Sequence, residues 1–228
     1  MKLMSRATVR NAQTVDYIDS DALSGHKVLR NTYMLLSMTL LFSALAAAVT
    51  ISLNLPGPGF IVTMVAYFGL LFLTTKLRNS AWGIASVFAL TGFMGYTLGP
   101  IISHYLKMPG GSGIVMMAMG MTGVIFLGLS AYVLISKRDF SFIGGFLMIG
   151  MLVAIVASIG AMFFQIPALA LTISAVMVLL MSGMILFETS NIIRGGETNY
   201  IMATVSLYIT IFNLFTSLLQ LLGFIERD

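Results

Sequence analysis

One acidic side chain, Glu188, lies inside a hydrophobic stretch long enough to cross a membrane. It sits in LLMSGMILFETSNII, near the end of that stretch. A carboxylate in lipid is costly, so it is either masked by hydrogen-bonding partners or used in ion or proton chemistry. A second set of polar residues follows shortly after: Ser206, Thr210, Asn213, Ser217 and Gln220. Their spacing of 4, 3, 4 and 3 residues is the helical period, which places all five on one face. A polar face in a membrane helix turns toward the bundle interior, where it serves interhelical hydrogen bonds or lines a hydrated path. Thr210 and Tyr208 are the donors expected to meet Glu188. The competing expectation is that Glu188 reaches the headgroup region or pairs with Arg194. His104, near another span end, is read either as a ligand or pH-responsive group or as an ordinary interfacial residue.

Enzymatic chemistry has no such footing. A lone embedded acid cannot form an intramembrane aspartyl dyad, and the chain has no HExxH, GxSxG or Walker sequence. Ser103 and His104 are adjacent, so on a helix they diverge by about 100° and make poor catalytic partners. Zero cysteines remove disulfides and thiolate sites. Met116, Met117, Met119 and Met121 point around their helix, which makes them adaptable apolar filler and not a copper site. No cofactor and no metal site is expected.

The elements that must position these residues are membrane spans. The chain of 228 residues is 58% hydrophobic and 9% charged, whereas a soluble domain carries about 25% charged residues. A spanning helix needs about 20 largely apolar residues. Seven candidates appear, at 31–53, 59–75, 81–105, 114–136, 141–164, 168–190 and 201–224. The fifth and sixth are separated by Gln165, Ile166 and Pro167, and merging them would demand one helix of roughly 50 residues, well beyond a single crossing. The expected fold is all-α, a polytopic seven-helix membrane bundle (residues 28–228) preceded by a polar tail (residues 1–27). The tail's low apolar content points to disorder or a frayed interfacial helix. No cleaved signal peptide is read, so the first span stays as an anchor.

Charge supplies the orientation. With the N-terminus in the cytoplasm, the inside segments hold ten of the twelve basic residues, and only Lys107 and Arg227 fall outside. That asymmetry follows the positive-inside rule and leaves the C-terminus outside. The basic residues are too scattered for nucleic-acid binding. Small residues offer close helix approach at Gly95 and Gly99, at Ala44 and Ala48, and at Gly120 and Gly123. Trp82, Tyr105 and Tyr200 sit near span ends as aromatic anchors.

Three patches resemble the Bax inhibitor-1 family, also called the transmembrane Bax inhibitor motif family. They are Tyr96–Thr97–Leu98–Gly99–Pro100–Ile101–Ile102–Ser103–His104–Tyr105, Phe187–Glu188–Thr189–Ser190, and Ser206 through Phe215 continuing to Leu218, Leu219 and Gly223. The likeness covers the whole chain. It implies a bacterial inner-membrane protein similar to a substrate and modulator of the ATP-dependent membrane protease FtsH, and the polar tail, residues 1–27, is the handle expected to engage it. It also implies an alternative, a pH-sensitive calcium leak gated by two aspartates on spans six and seven. Here those positions are Glu188 and Thr210, so the second acid is missing and the like-charge coupling of two carboxylates is lost.

Overall fold

The computed structural model describes residues 2–164 and 166–225, with side chains from Lys27 onward except those of Met162 and Pro167. Gln165, in the expected break between spans five and six, lies outside the described residues. Seven α-helices follow in order: α1 (Lys2–Ser52), α2 (Phe60–Leu77), α3 (Trp82–Leu106), α4 (Gly111–Ser136), α5 (Gly144–Phe164, preceded by a 3-10 turn at Ser141–Ile143), α6 (Pro167–Ile193) and α7 (Tyr200–Ile225). No strand occurs among the described residues. Each helix is long and apolar enough to cross a membrane, α1 through its Lys27–Ser52 portion. The polar segment is helical in backbone from Lys2, so it and the first span form one element.

The breaks follow local chemistry. Ile166 is extended (φ −92°, ψ 106°) before Pro167 opens α6, because a residue preceding proline is driven out of the helical region. Gly110 supplies a left-handed turn (φ 69°) into α4. Lys137 ends α4 in the same conformation, its N–H donating to the Val133 carbonyl at 2.9 Å.

α7 is the hub. It packs against α1, α3, α4 and α6, while α2 leans on α3 and α5 on α6. The seam between α1 and α3 is closed by glycine. A Cβ at Gly95 would collide with the Ser43 carbonyl, and one at Gly99 would lie 2.6 Å from the Thr50 side chain. The other small residues singled out behave differently. Ala44 and Ala48 are exposed, and α1 instead turns Ser43, Ala47 and Thr50 inward. Gly120 and Gly123 have open space where a Cβ would stand. Small residues permit close approach, but the direction of the larger neighbours decides which face is buried. The four methionines of α4 point outward as lipid-facing filler.

A second lock lies in the bundle centre. The Tyr208 hydroxyl is 2.5 Å from Ser43 Oγ and donates to the Thr91 carbonyl at 3.2 Å. It ties α7 to α1 and α3, and a buried phenol requires such partners.

Candidate functional site

The last two turns of α6 gather most of the chemistry. Glu188 is 8% exposed and Thr210 3% exposed. The Thr210 hydroxyl lies 3.1 Å from both carboxylate oxygens of Glu188, so one donated hydrogen serves two acceptors. The pairing follows from helix geometry. Side chains lean toward their own helix N-terminus, and α6 and α7 are antiparallel neighbours. Glu188, about 8 Å from the end of α6, leans inward, while Thr210, about 15 Å into α7, leans back toward it. Among the described residues no Lys or Arg makes an ion pair with Glu188. Arg194 goes elsewhere: its Nε is 3.6 Å from Asp139 Oδ1, and its Nη2 donates to the Lys137 carbonyl at 3.0 Å.

The neighbours of Glu188 in sequence fan around α6 and stitch it to other elements. The Phe187 ring lies where a Cβ on Gly144 would stand, fixing the start of α5. Thr189 Oγ1 is 3.5 Å from the hydroxyls of both Ser130 on α4 and Tyr33 on α1. Ser190 Oγ accepts from the Phe140 N–H at 3.1 Å and donates to the Arg138 carbonyl at 3.4 Å. Four consecutive residues, turned about 100° apart, therefore meet α5, α7, the α1–α4 pair and the loop after α4. Asp139 in that loop accepts from the Ser141 N–H at 2.9 Å. Hydrogen bonds from Ser141, with Arg194 adding attraction, hold its carboxyl below the usual range.

The other polar positions divide. Gln220 accepts from Ser174 on α6 at 3.0 Å, so the α7 face is clasped to α6 at two heights. Asn213 donates to the Ile209 carbonyl of its own helix and reaches no other helix among the described residues. Ser217 is buried and Ser206 is exposed. Two expectations are corrected. Tyr208 is turned to Ser43 and Thr91 and does not meet Glu188, because it lies two residues from Thr210 and so points about 200° away. Ser206 is exposed and lies outside the buried seam. His104 is brought to the opposite end of the bundle, beside Ser174 and Gln220, at the rim of a cavity of about 250 Å³.

Asn199 was not singled out by sequence. Its Oδ1 caps α7 by accepting from the N–H groups of Ile201 and Met202 (3.0 and 3.1 Å), while its amide donates to the Arg78 carbonyl and Asn79 Oδ1 (3.0 and 2.8 Å). An asparagine just before an apolar helical run is an N-cap signal. Its second role, pinning the α2–α3 loop, has no sequence signature. No group of three or more metal-ligating side chains occurs among the described residues.

Comparison with known proteins places this architecture. The model of the family described as inhibitor of apoptosis-promoting Bax1 matches residues 25–227. The chain is 56% identical over 206 residues to the Escherichia coli K12 protein described as modulator of FtsH protease YccA, covering 90% of this chain and 94% of that one. An O6:H1 strain carries a protein of the same identity and coverage, described as inner membrane protein YccA. An uncharacterized protein of Pseudomonas aeruginosa is 55% identical over 201 residues, 88% of this chain and 90% of its own. With the family model spanning nearly all of the seven-helix bundle, this chain belongs to the Bax1-inhibitor family.

Proposed function

We propose that this protein is an inner-membrane modulator of an FtsH-type protease, engaged through residues 1–27. The observation that carries this reading is the 56% identity over 90% of the chain to the E. coli FtsH modulator. The physical argument concerns access. The positive-inside asymmetry assigns the tail, the α2–α3 and α4–α5 loops and the α6–α7 loop to the cytoplasmic face. On that face the loops are tied down by Asn199, Ser190 and Arg194. A processive protease needs a polar segment to grip, and residues 1–27 are the longest polar stretch of the chain, ahead of the apolar part of α1. Deleting residues 2–26 tests the idea in cells that make FtsH. Slower turnover and lost co-purification with FtsH, with the bundle still folded, is the expected result. Unchanged turnover would sink the tail as the handle.

A second reading is a cation leak, with calcium as the ion, along the α6–α7 seam. The buried Glu188 in that seam favours it, and the absence of a second acid at Thr210 weighs on the other side. In this reading the Glu188–Thr210 contact is the closed gate. Flux into dye-loaded liposomes that is unaltered by Glu188→Gln would remove the acid from any gating role.

A further inference from the structure

The least-buried side of α7 is also its polar side. Ser206 and Gln220 are exposed, and Met202, Ile209, Asn213 and Thr216 are half-buried. These six follow one another by 4, 3, 4, 3 and 4 residues, the pattern of a seam between paired helices. α3 and α6 both pack against α7 but, among the described residues, not against each other. α3 meets α7 on one side of this line, with Ile201 over Gly83 and Tyr105 over Gly223. α6 meets it on the other side, where Glu188 joins Thr210. The line is therefore the floor of a groove walled by α3 and α6. At its outer end the groove opens into the cavity to which α3 contributes His104, α6 Ser174 and α7 Gln220. We propose that this groove seats one transmembrane helix of a partner membrane protein, a helix with amide or hydroxyl side chains seven residues apart.

Length and polarity select a helix. From Met202 to Gln220 the floor runs about 27 Å, nearly the whole hydrocarbon core of about 30 Å. Its occupant thus lies along the bilayer normal for a full crossing. Ser206, Asn213 and Gln220 stand seven residues apart on the floor. Asn213 is about 20 Å into a helix of 26 residues, close to the middle of the membrane. Its amide donates to the Ile209 carbonyl. Its Oδ1 and the Ser206 hydroxyl make no hydrogen bond among the described residues. Acyl chains carry neither donors nor acceptors, so lipid in the groove leaves these groups unmet. Side chains of a neighbouring helix meet them, and Ser, Asn and Gln are residues by which membrane helices bind one another. Met202 and Ile209 supply apolar packing between the polar rungs, and the rungs fix the register.

A second copy of this chain does not complement the floor. Its α7 is recessed behind its own α3 and α6. Its peripheral helices are α2 and α5, with 6% and 11% of their apolar stretches buried. They turn large apolar side chains outward, among them Phe68 and Phe72 on α2 and Leu152 and Val156 on α5. Of the hydroxyls they carry, those of Thr63, Thr75 and Ser158 donate to carbonyls one turn back along the same chain. The occupant is a foreign helix with polar positions of its own.

The test uses the full-length protein in dioleoyl phosphatidylcholine liposomes. The probes are a leucine-based transmembrane peptide with two asparagines seven residues apart, and its all-leucine parent, each with one cysteine. Native cysteine is absent, so Ile209→Cys places a single thiol in the groove and Val153→Cys a single thiol on the outer face of α5. Both positions are nine residues into their helices from the cytoplasmic end. Half-maximal disulfide cross-linking at Ile209→Cys should need about tenfold less of the asparagine peptide than of its parent, the effect of two interhelical hydrogen bonds of average strength. Val153→Cys should show no preference. Adding Asn213→Leu to Ile209→Cys should abolish the preference, and Ser206→Leu, at an exposed position, carries the test if that variant does not fold. Equal cross-linking of the two peptides at Ile209→Cys overturns the proposal. So does an equal preference at Val153→Cys, or a preference that survives in the folded groove variants. Cross-links between two copies of the Ile209→Cys protein that outcompete the asparagine peptide would also overturn it, by making a second copy the occupant.

Discussion

Replacing Thr210 with valine removes the hydroxyl that meets Glu188 while keeping the shape of the side chain. Thr210 Oγ1 stands 3.1 Å from each carboxylate oxygen, longer than the usual hydrogen bond from a hydroxyl to an oxygen. Sharing one hydrogen between two oxygens weakens each arm. A hydrogen bond to a charged group contributes about 1.5–3 kcal/mol, but interhelical bonds in membrane bundles average about 0.6 and reach about 1.7 kcal/mol. The buried acceptor left behind adds its own penalty, so Thr210→Val should cost about 1–2 kcal/mol. Thr210→Ser keeps the hydroxyl and should lose less. Titration with a denaturing detergent, followed by helicity, gives the free energies. The decisive comparison is the cycle of Thr210→Val, Glu188→Met and the double variant. Replacing both partners by apolar groups can be nearly neutral, so the double variant should be less damaged than the sum of the singles. Additivity within about 0.5 kcal/mol would refute the claim that Thr210 carries the burial of Glu188.

Glycine substitutions separate packed from open positions: Gly95→Ala should destabilise by about 1–3 kcal/mol through overpacking against Ser43. Gly120→Ala, facing open space, should be neutral or stabilising by up to about 1 kcal/mol, both read by the same titration. Asn199→Ala removes a helix cap and the pin on the α2–α3 loop, and should cost about 1–2 kcal/mol, with faster amide exchange at Ile201 and Met202 as its local signature. Asp139 has its folded carboxyl held down by Ser141 first and Arg194 last. Its contribution is therefore present at neutral pH and lost as pH falls through that lowered value. Asp139→Asn should lie slightly below the wild type at neutral pH and merge with it once the pH has fallen below that lowered value, where both are uncharged; parallel curves at all pH values would count against the clasp.

The seven-helix architecture was legible because each span is a long apolar run, and length alone rejects merging the fifth and sixth. The meeting of Glu188 with Thr210 was legible too, from short-loop antiparallel packing and the helical period of the α7 face. What period cannot reveal is azimuth. It placed Tyr208 near the acid, although a two-residue offset turns it to the other side of α7. It treated Ala44, Ala48, Gly120 and Gly123 as equals of Gly95, although only the neighbouring helix decides which small residue is covered. The partner of Arg194 was missed for a related reason. Asp139 lies 55 residues away in sequence, and only the fold of the α4–α5 loop, held by Ser190, brings the two together. The cavity beside His104 arises from three helix ends meeting, which no single stretch of sequence encodes.

The central position of α7 has a consequence for how the protein is made. Its apolar stretch is 56% buried, against 6% for α2, and it touches four of the other six helices. Synthesis runs from the N-terminus, so the helix that fills the core leaves the ribosome after the other six. Until it arrives, Ser43, the Thr91 carbonyl and Glu188 lack the Tyr208 and Thr210 hydroxyls that they meet in the finished bundle. Assembly is then completed in one late step, and a chain that stalls before Tyr200 remains an open ring with its polar interior unsealed.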